Sequence, residues 1–396
     1  MAGLCYGARM QSIYLDHNAT SPLRPEARRA MERALESPAG NPSSLHAPGR
    51  AARIALESAR EQVARLLGAR REEIVLTAGG TESNNLALYG AASLFPASAG
   101  RVVTSAIEHP SVLEPLRDLE RRGIDVVRVP PTRAGLVESG CVLEAAGPGT
   151  GLVSLMLANN ETGILQPVEP VGRELRRRGV LLHCDAAQAA GKVPIDAPSL
   201  GVDLLSIAGH KFGGPQGTGA LYVCRGVALG PHLRGGGQEL NRRPGTENLA
   251  ALAGLGAAAE AAAQALPVES LRMRELRDRL ERDVLARVPG SRVNGAGSPR
   301  VPNTSSLAFA GLTGEVLVMA LDLEGIAVSA GSACSAGTVR TSHVLQAMGL
   351  QEAAGSSIRI SLGPGTTAGE IDHVVRVLSL VVDRVRASAA APAGRP

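Results

Sequence analysis

The chain has 396 residues, 44% hydrophobic and 20% charged, which is enough to bury a sizeable core in one large or two modest globular domains. A net charge of only +4, with scattered basic residues, argues against nucleic-acid binding, and the lack of a long apolar run or secretory signal predicts a cytoplasmic protein without a membrane span. Five widely spaced cysteines without a CxxC pair indicate a reducing compartment and argue against a disulfide framework or a structural zinc site.

From Tyr14 to Cys224, short apolar runs alternate with helical patterns. Most runs are apolar on both faces, as in a buried parallel sheet, and they predict strands at 73–79, 101–107, 125–130, 151–158, 180–187 and 202–209. Helices are predicted over 50–67, 81–93 and 168–178. This alternation predicts an α/β fold in which a large domain, residues 14–260, has a mainly parallel sheet flanked by helices. Its ligand site should lie beyond the carboxyl ends of the strands.

After residue 250 a long helical region begins, and Pro267 is predicted to interrupt it. A smaller α+β unit follows, with strands near 304–310, 326–330 and 356–362. Its final helix begins at TAGE (367–370), which is a capping-box pattern. The small domain is therefore assigned to residues 1–13 and 261–388, and the tail 389–396 is predicted to be disordered.

The segment TAGGTESNN (77–85) leaves a predicted strand, turns at Gly79 and Gly80 and opens a helix at Thr81. Backbone N–H groups at a helix N-terminus bind phosphate, and Thr81 adds a hydroxyl group. Two glycines before a helix are more often only a turn. The segment therefore gains meaning only together with the polar residues that follow the other strands.

Further polar residues lie at the ends of predicted strands or just after them: His109 in SAIEHP, Asn159 and Asn160 in LANNETG, Asp185 and Gln188 in HCDAAQ, and Lys211 in IAGHK. Each has a purely structural explanation, because an Asp or Asn after a strand commonly caps the next helix and an isolated His is usually hydrogen-bonded or exposed. The triplet His183-Cys184-Asp185 does not predict a metal site, because strand alternation places Cys184 on the face opposite the other two side chains. No metal is expected.

Lys211 is one of only two lysines in the chain, and arginine supplies the other 39 of the 41 basic residues. A phosphate-binding turn, a carboxylate and a lysine at one edge of a sheet are the components of a pyridoxal 5'-phosphate (PLP) site. The lysine forms a Schiff base with the cofactor aldehyde, which arginine cannot do, and the carboxylate keeps the pyridine nitrogen protonated. The second lysine, Lys192, lies between AAG and VPID in what is expected to be an exposed connection, so Lys211 is the predicted anchor.

Several longer motifs occur together and in order: YLDHNAT (14–20), NPSSLHAPGR, TAGGTESNN, EHPSVL, NNETG, HCDAAQAAGKVPID, GHKFGGPQGTGALYV, GGGQE, RPGTEN, SAGSACSAG and SSIRISLGPGTT (356–367). With them the chain resembles the cysteine desulfurases of the NifS/IscS type, which are fold-type I PLP enzymes of the class V aminotransferase group. The resemblance covers almost the whole chain.

The resemblance implies a role for each matching residue. Lys211 carries the cofactor, while His109 stacks on its ring and exchanges a proton with the substrate thiol. Asp185 pairs with the pyridine nitrogen, and Gln188 and Asn160 lie near the phenolic oxygen and the substrate. The phosphate is bound by Gly80, Thr81 and His210, and the substrate carboxylate by Arg359. Thr246, in RPGTEN, is expected to reach the phosphate of a neighbouring subunit, which predicts a homodimer.

Cys334 decides the reaction type. A free cysteine is more often a small buried residue, but the surrounding SAGSACSAGTVRTSH is small, polar and glycine-containing, which predicts a mobile loop. The resemblance implies that the Cys334 thiolate attacks the sulfur of L-cysteine, giving L-alanine and a Cys334 persulfide that passes to an acceptor. That acceptor is expected to be an iron–sulfur scaffold, a tRNA thiolation protein or a dedicated pathway partner.

The chain departs from the family pattern at Ala208, where a serine often donates a hydrogen bond to the phosphate. Loss of one hydroxyl contact, worth about 1 kcal/mol, predicts slightly weaker cofactor retention. The C-terminal ASAAAPAGRP does not resemble the segment with which IscS-type proteins help to dock a scaffold. The nine residues before Met10 have no counterpart, so Met10 is an alternative start.

Three alternatives to desulfuration remain. A class V aminotransferase or a selenocysteine lyase would share Lys211 and Asp185, but an aminotransferase would not need Cys334. A PLP-fold remnant that serves only as a binding partner is disfavoured by the intact residues Lys211, Asp185, His109, Arg359 and Cys334.

Overall fold

The structure, a computed structural model, describes residues 12–95, 100–330 and 341–390. The alternative start at Met10, the loop thiol Cys334 and the last six residues of the tail lie outside the described residues. Within these ranges the chain adopts the predicted α/β fold with a second, smaller α+β unit.

The described residues form thirteen strands in three sheets. The strands are β1 (Ile13–Tyr14), β2 (Ile74–Thr77), β3 (Arg101–Ser105), β4 (Asp125–Val129), β5 (Thr150–Ser154), β6 (Leu181–Asp185), β7 (Leu204–Ala208), β8 (Gly219–Val223), β9 (Ser291–Val293), β10 (Thr304–Phe309), β11 (Ile326–Ala327), β12 (Ser329–Ala330) and β13 (Ser357–Ser361). The large sheet has the order β2-β8-β7-β6-β5-β3-β4, the small sheet the order β12-β13-β10-β9, and β1 pairs with β11.

The helices surround these sheets. They are α1 (Pro25–Glu36), α2 (Ala47–Leu66), α3 (Gly80–Ala92), α4 (Pro110–Arg121), α5 (Ser139–Ala145), α6 (Val168–Arg178), α7 (Ala197–Leu200), α8 (Gln238–Asn241), α9 (Leu249–Arg287), α10 (Gly314–Leu323), α11 (His343–Ala347), α12 (Gln351–Ser356) and α13 (Ala368–Ala390). Two short 3₁₀ turns, Arg71–Glu73 and Gly209–Lys211, complete the described secondary structure.

Both faces of the large sheet are buried, as the apolar runs predicted. Val102 and Val103, which are neighbours on β3, point into different hydrophobic clusters, and Leu204 and Leu205 on β7 do the same. One cluster includes residues of α2, α6 and α9, and the other includes residues of α3 and α4. All six predicted strands and the three predicted helices are confirmed, with ends that differ by a few residues.

The sequence analysis did not predict β8. This strand lies between β2 and β7 and runs antiparallel to both, whereas the other neighbouring strands of the large sheet are parallel. The connection from β7 reverses the chain through Gly213 and Gly217, which have positive φ angles of 88° and 75°. The sheet is therefore mainly parallel, and the carboxyl ends of its parallel strands share one edge.

The small sheet packs against α10, α13 and the second half of α9 through its own hydrophobic cluster. The strand predicted near 326–330 is two short strands, because the chain changes partner from β1 to β13 at Val328. The predicted capping box is confirmed: Thr367 N–H donates to Glu370 Oε2 over 2.7 Å, and Glu370 N–H donates to Thr367 Oγ1 over 3.2 Å.

The prediction that Pro267 interrupts the long helical region is wrong, because α9 continues through it from Leu249 to Arg287. Pro267 is exposed, so the carbonyl that loses its helical donor can bind water instead. The first half of α9 packs in the cluster of α2 and the second half in that of α13, and this packing keeps both halves helical.

By length and composition alone, one described helix could cross a membrane: the most apolar stretch of α9 has a mean hydropathy of 1.4. The core helices of soluble proteins meet the same criterion, and α9 packs against α1 and α2.

The division into residues 14–260 and residues 1–13 with 261–388 stays a prediction. Helix α9 crosses the predicted boundary at 260 without a break. Helix α13 extends to Ala390, two residues into the segment predicted to be disordered.

We predict that Pro267→Ala raises the free energy of unfolding by about 1–3 kcal/mol, because alanine restores a missing N–H donor at a helix-interior position. Urea denaturation followed by circular dichroism measures the change. Val268→Ala, at the neighbouring position whose residue is 72% exposed, is the control and should change stability by less than about 0.5 kcal/mol. A destabilised Pro267→Ala protein would contradict the prediction.

Candidate active site

A cavity of about 340 Å³ opens at the shared carboxyl edge of the large sheet. Nine of the eleven residues predicted for the site line it: Gly80, Thr81, His109, Asn160, Asp185, Gln188, His210, Lys211 and Arg359. Cys334 lies outside the described residues. Thr246 is exposed and does not line this cavity, and so its expected contact with a neighbouring subunit stays a prediction.

One end of the cavity is formed by the N-terminus of α3. The preceding Gly79 has a φ of 152°, a backbone conformation that favours glycine. Gly80 leaves little room for a side chain, because an added Cβ would lie 3.3 Å from the Ala208 Cβ. The backbone therefore comes close to the cavity, and the N–H groups of the first helical turn have no acceptor within the helix. Thr81 lies beside them, and together they form an anion-binding end.

His210 lines the same end, and its Nδ1 lies 3.2 Å from the Thr20 hydroxyl oxygen. Burial and the nearby Lys211 and Lys192 charges lower the pKa of His210 to about 4. The ring is therefore neutral near pH 7 and acts as a hydrogen-bonding group rather than as a cation.

Asp185 ends β6 and is buried at the cavity floor. Its Oδ2 accepts from Asn84 Nδ2 over 2.8 Å, and its Oδ1 accepts from Ala187 N–H over 2.9 Å. Asn84 also donates to Ser111 Oγ over 2.8 Å, so α3 and the first turn of α4 together orient the carboxylate.

Lys211 ends the 3₁₀ turn after β7 and reaches back to the loop that follows β1. Its Nζ donates to the carbonyls of Asn18 and Ala19 over 2.6 and 3.0 Å. The amine is thus held at the cavity wall by backbone groups.

The expectation that Lys192 lies in an exposed connection is wrong. Lys192 is only 4% exposed, and its Nζ donates to Asn18 Oδ1 over 2.9 Å and to Gln188 Oε1 over 2.7 Å. The segment is interior because Gly191, with a φ of 72°, packs directly against Phe212, where an added Cβ would be 2.7 Å away. Both lysines of the chain therefore belong to one network.

His109 caps the N-terminus of α4, and its Nδ1 accepts from the Ser111 N–H over 3.1 Å. Burial lowers the pKa of His109 more than the nearby Asp185 carboxylate raises it, which favours the neutral ring. Because Nδ1 is an acceptor, the proton of the neutral ring lies on Nε2.

Arg359 comes from β13 of the small sheet and is 2% exposed. Its Nη1 donates to the Asn160 carbonyl over 3.0 Å, and its Nη2 donates to Asp16 Oδ1 over 2.7 Å. The buried Arg359 Nε and Asn160 Oδ1 have no hydrogen-bond partner among the described residues. Unpaired buried groups of this kind point to a polar ligand.

Two buried carboxyl groups, Glu108 and Glu161, adjoin the cavity-lining residues His109 and Asn160 in the chain. Glu108 Oε1 accepts from Ser105 Oγ and Met156 N–H over 2.6 and 2.9 Å, and burial raises the pKa of Glu108 to about 8. Burial likewise raises the pKa of Glu161 to about 7, although its hydrogen bond from Ser342 Oγ opposes the shift.

The sequence analysis missed Asn18, Asn84 and Ser111, which line the cavity. Asn84 could have been found from its spacing, because it lies one helical turn after Gly80 in TAGGTESNN. Asn18 has no such signal, since its importance comes from contacts with residues far away in sequence. His183 bonds to Ser154 and Ser206, and the described residues contain no group of three or more potential metal ligands.

The residues present fit PLP. The cavity has an anion-binding helix N-terminus at one end, and a carboxylate and a lysine amine line it as well. It also has a buried guanidinium whose Nε has no partner in the described part of the chain. These groups match the phosphate of the cofactor, the ring nitrogen, the aldehyde and the carboxylate of an amino-acid substrate, respectively.

Comparison with known proteins agrees with this fit. Residues 13–374 match the family described as Aminotransferase class-V. A cysteine desulfurase from Cereibacter sphaeroides is 47% identical over 381 residues, covering 96% of this chain and 97% of that protein. The cysteine desulfurase IscS of Dictyoglomus turgidum is 42% identical over 377 residues, covering 95% and 96%. A solved NifS-like protein has a TM-score of 0.89 and 35% identity, covering 94% of this chain and all of its own.

We predict that Glu108→Gln removes a pH dependence of stability. The folded-state pKa of Glu108, about 8, lies above the ordinary 4.5, so between these pH values the unfolded chain is ionised while the folded carboxyl group is protonated. Glu108 should therefore contribute a stability that falls with rising pH by up to about 1.4 kcal/mol per unit, and the variant should lack this contribution. Urea denaturation from pH 5 to 8 measures it. The matched control is Glu114→Gln, which changes an exposed carboxylate of α4. Equal pH slopes in wild type and Glu108→Gln would contradict the prediction.

We predict that Ala208→Ser tightens PLP binding about fivefold, because the new hydroxyl would lie beside the first turn of α3 and add one hydrogen bond worth about 1 kcal/mol. Equilibrium dialysis of the cofactor measures the dissociation constant. Ala208→Cys adds similar volume with a much weaker donor and should leave the affinity nearly unchanged. Equal tightening in both variants would assign the gain to packing.

Proposed function

Since this chain belongs to the Aminotransferase class-V family and is a PLP-dependent cysteine desulfurase, we propose that it uses Lys211 as its base and Cys334 as its sulfur carrier. The observation that carries the proposal is the single cavity in which Lys211, Asp185, Arg359 and the N-terminus of α3 converge. The reaction converts L-cysteine and the Cys334 thiol into L-alanine and a Cys334 persulfide.

Each part of the cofactor has residues suited to hold it. The first turn of α3, Thr81 and neutral His210 would hold the phosphate, Asp185 the ring nitrogen and Gln188 the phenolic oxygen, with His109 beside the ring and Lys211 at the aldehyde. When bound, PLP takes up the electron pair that is left after the α-proton of the substrate is removed. Asp185 suits its task because Asn84 and the Ala187 N–H orient its two oxygens.

Arg359 would bind the substrate carboxylate. Asp16 and the Asn160 carbonyl hold its two terminal nitrogens, and Nε remains to donate to the ligand. The unpaired Asn160 Oδ1 lines the same cavity and can accept a hydrogen bond from the bound amino acid. These contacts orient the substrate so that its Cα faces Lys211, whose amine takes the α-proton.

His109 would exchange a proton with the substrate sulfur. The Ser111 N–H holds its Nδ1 as an acceptor, which leaves Nε2 to carry and transfer the proton. Because burial favours the neutral ring, His109 readily returns a proton that it has taken up from the substrate thiol to become an imidazolium.

Cys334 would attack the sulfur of the substrate as a thiolate. The S–S bond of the persulfide forms as the C–S bond of cysteine breaks, and the electron pair of that bond stays on carbon, which takes up a proton to become the methyl group of alanine. The described residues on either side of the segment 331–340 support this role. Ser329, two residues before it, pairs directly with Arg359 in the small sheet.

On the other side, Ser342 donates to Glu161, next to Asn160, and His343 Nε2 lies 3.0 Å from the carbonyl oxygen of Glu108, next to His109. Cys334 is four residues from Ala330, and four residues span at most about 14 Å. The described residues on both sides of the segment therefore contact cavity-lining residues or their chain neighbours, which supports a role for the Cys334 thiol at this site.

The proposal also includes the subunit arrangement, the sulfur acceptor and the cellular compartment. A homodimer would bring the exposed Thr246 to the phosphate of the neighbouring subunit. The persulfide would pass to an iron–sulfur scaffold or a thiolation protein, and the enzyme would act in the cytoplasm, where the acceptor and its own thiols stay reduced.

We predict that the purified protein with PLP and a reductant releases sulfide and alanine from L-cysteine in equal amounts, and that Cys334→Ser abolishes both. Without reductant, the peptide that contains Cys334 should gain the mass of one sulfur atom. Cys141→Ser, which removes an exposed thiol in α5, is the matched control and should retain activity.

Desulfuration that survives in Cys334→Ser would overturn the role of this thiol. Transamination without sulfide release in both proteins would instead identify an aminotransferase. A strong preference for selenocysteine over cysteine would identify a selenocysteine lyase.

A further inference from the structure

Lys192 is a buried lysine that has no carboxylate partner among the residues that the structure describes. Its Nζ binds two amide oxygens, Asn18 Oδ1 and Gln188 Oε1, and no ion pair of Lys192 occurs among the described residues. Burial and the neighbouring Lys211 and Arg359 charges lower the pKa of Lys192 well below its usual value. A buried lysine of this kind needs an explanation beyond filling space.

The side chain of Gln188 is held at both ends of its amide. Oε1 accepts from Lys192 Nζ over 2.7 Å, and Nε2 donates to the Asn18 carbonyl over 2.9 Å. A flipped amide would place two donors together at Lys192 and two acceptors together at Asn18. The observed orientation is therefore strongly preferred, and it leaves the second N–H of Nε2 available on a residue that lines the cavity.

We propose that Lys192 is a positioning residue that holds the Gln188 amide with its nitrogen, rather than its oxygen, available to the cofactor. A donor on the phenolic oxygen of PLP stabilises the anionic oxygen, whereas a flipped carbonyl would repel it. The inference rests on the proposed placement of the cofactor in this cavity. Lys192 itself does not line that cavity and acts through Gln188.

The spacing along the chain supports this division of labour. Gln188 and Lys192 are four residues apart and hydrogen-bonded to each other, but only Gln188 lines the cavity, which Lys211 reaches from the turn after β7. Asn18 receives both lysines, Lys211 at its backbone carbonyl and Lys192 at its side chain. One lysine thus lies at the reacting centre and the other in the supporting layer behind it.

The test is a pH titration of the visible absorbance of bound PLP, which does not require turnover. Lys192→Met keeps an unbranched side chain, one atom shorter, and removes its donor. The midpoint should rise by about one pH unit, because the anionic oxygen loses a stabilising hydrogen bond. Gln188→Ala should raise it by a similar amount. The double variant should match Gln188→Ala alone, since Lys192 has no separate route to the cofactor.

An unchanged midpoint in folded Lys192→Met would overturn the proposal. An unchanged midpoint in Gln188→Ala would overturn it as well. Additive shifts in the double variant would also overturn it, because they would show that Lys192 acts by its own charge. Thermal melting of each variant checks that it is folded. If Lys192→Met does not fold, Lys192→Gln takes its place, and it should shift the midpoint by less than Gln188→Ala does. Sulfide release by the wild type tests the proposed function separately, because the titration needs only bound cofactor.

Discussion

The hydrogen bonds of Asn18 hold the whole site together. This residue is 1% exposed, and its backbone carbonyl accepts from Lys211 and Gln188 while its side-chain oxygen accepts from Lys192 and Asn303. Its N–H donates to Ser361 Oγ, and its Nδ2 donates to Thr304 Oγ1 and to the Asn160 carbonyl. The loop after β1 thereby ties both lysines to the small sheet. Loss of such a group would leave several buried polar atoms unpaired, at about 1–3 kcal/mol each.

The charges around the cavity follow from burial. The histidines that line it are kept neutral, and the positive potential comes from Lys211, Arg359 and the N-terminus of α3. Cations gathered in a partly dry space cost stability unless an anion joins them. A phosphate and a carboxylate are such anions, so ligand binding should relieve part of this cost and stabilise the folded chain. Asp185, held by two donors, supplies the one carboxylate that lines the cavity among the described residues.

The site also depends on the junction of two sheets. Most of its polar groups come from the large sheet, whereas Arg359 comes from β13 of the small one. Strand β12, paired with β13 at Ser329, leads into the segment that contains Cys334. The pairing of β12 with β13 thus fixes the position of Arg359, which would hold the substrate carboxylate. It also fixes the position of Ala330, the last described residue before the segment that contains Cys334.

Much of this arrangement could be predicted from the sequence, because its rules are local. Apolar runs that alternate with helical patterns predict parallel strands, and the carboxyl ends of parallel strands must meet at one edge. Asp185 ends such a strand, and His109 and Lys211 each follow one, so their convergence follows from their positions in the chain. The capping box of α13 is equally local, since two residues three positions apart satisfy each other's backbone.

Only the tertiary structure decided the rest. Helix α9 continues through Pro267 because packing in two hydrophobic clusters outweighs the loss of one hydrogen bond on an exposed face. Lys192 follows a glycine that predicts a surface turn, yet Phe212 packs against that glycine and encloses the segment. Asn18 gains its role from partners up to 343 positions away. Chain order alone determined which residue types stand at the strand ends, whereas burial and long-range hydrogen bonds, which no local pattern records, decided how they are held.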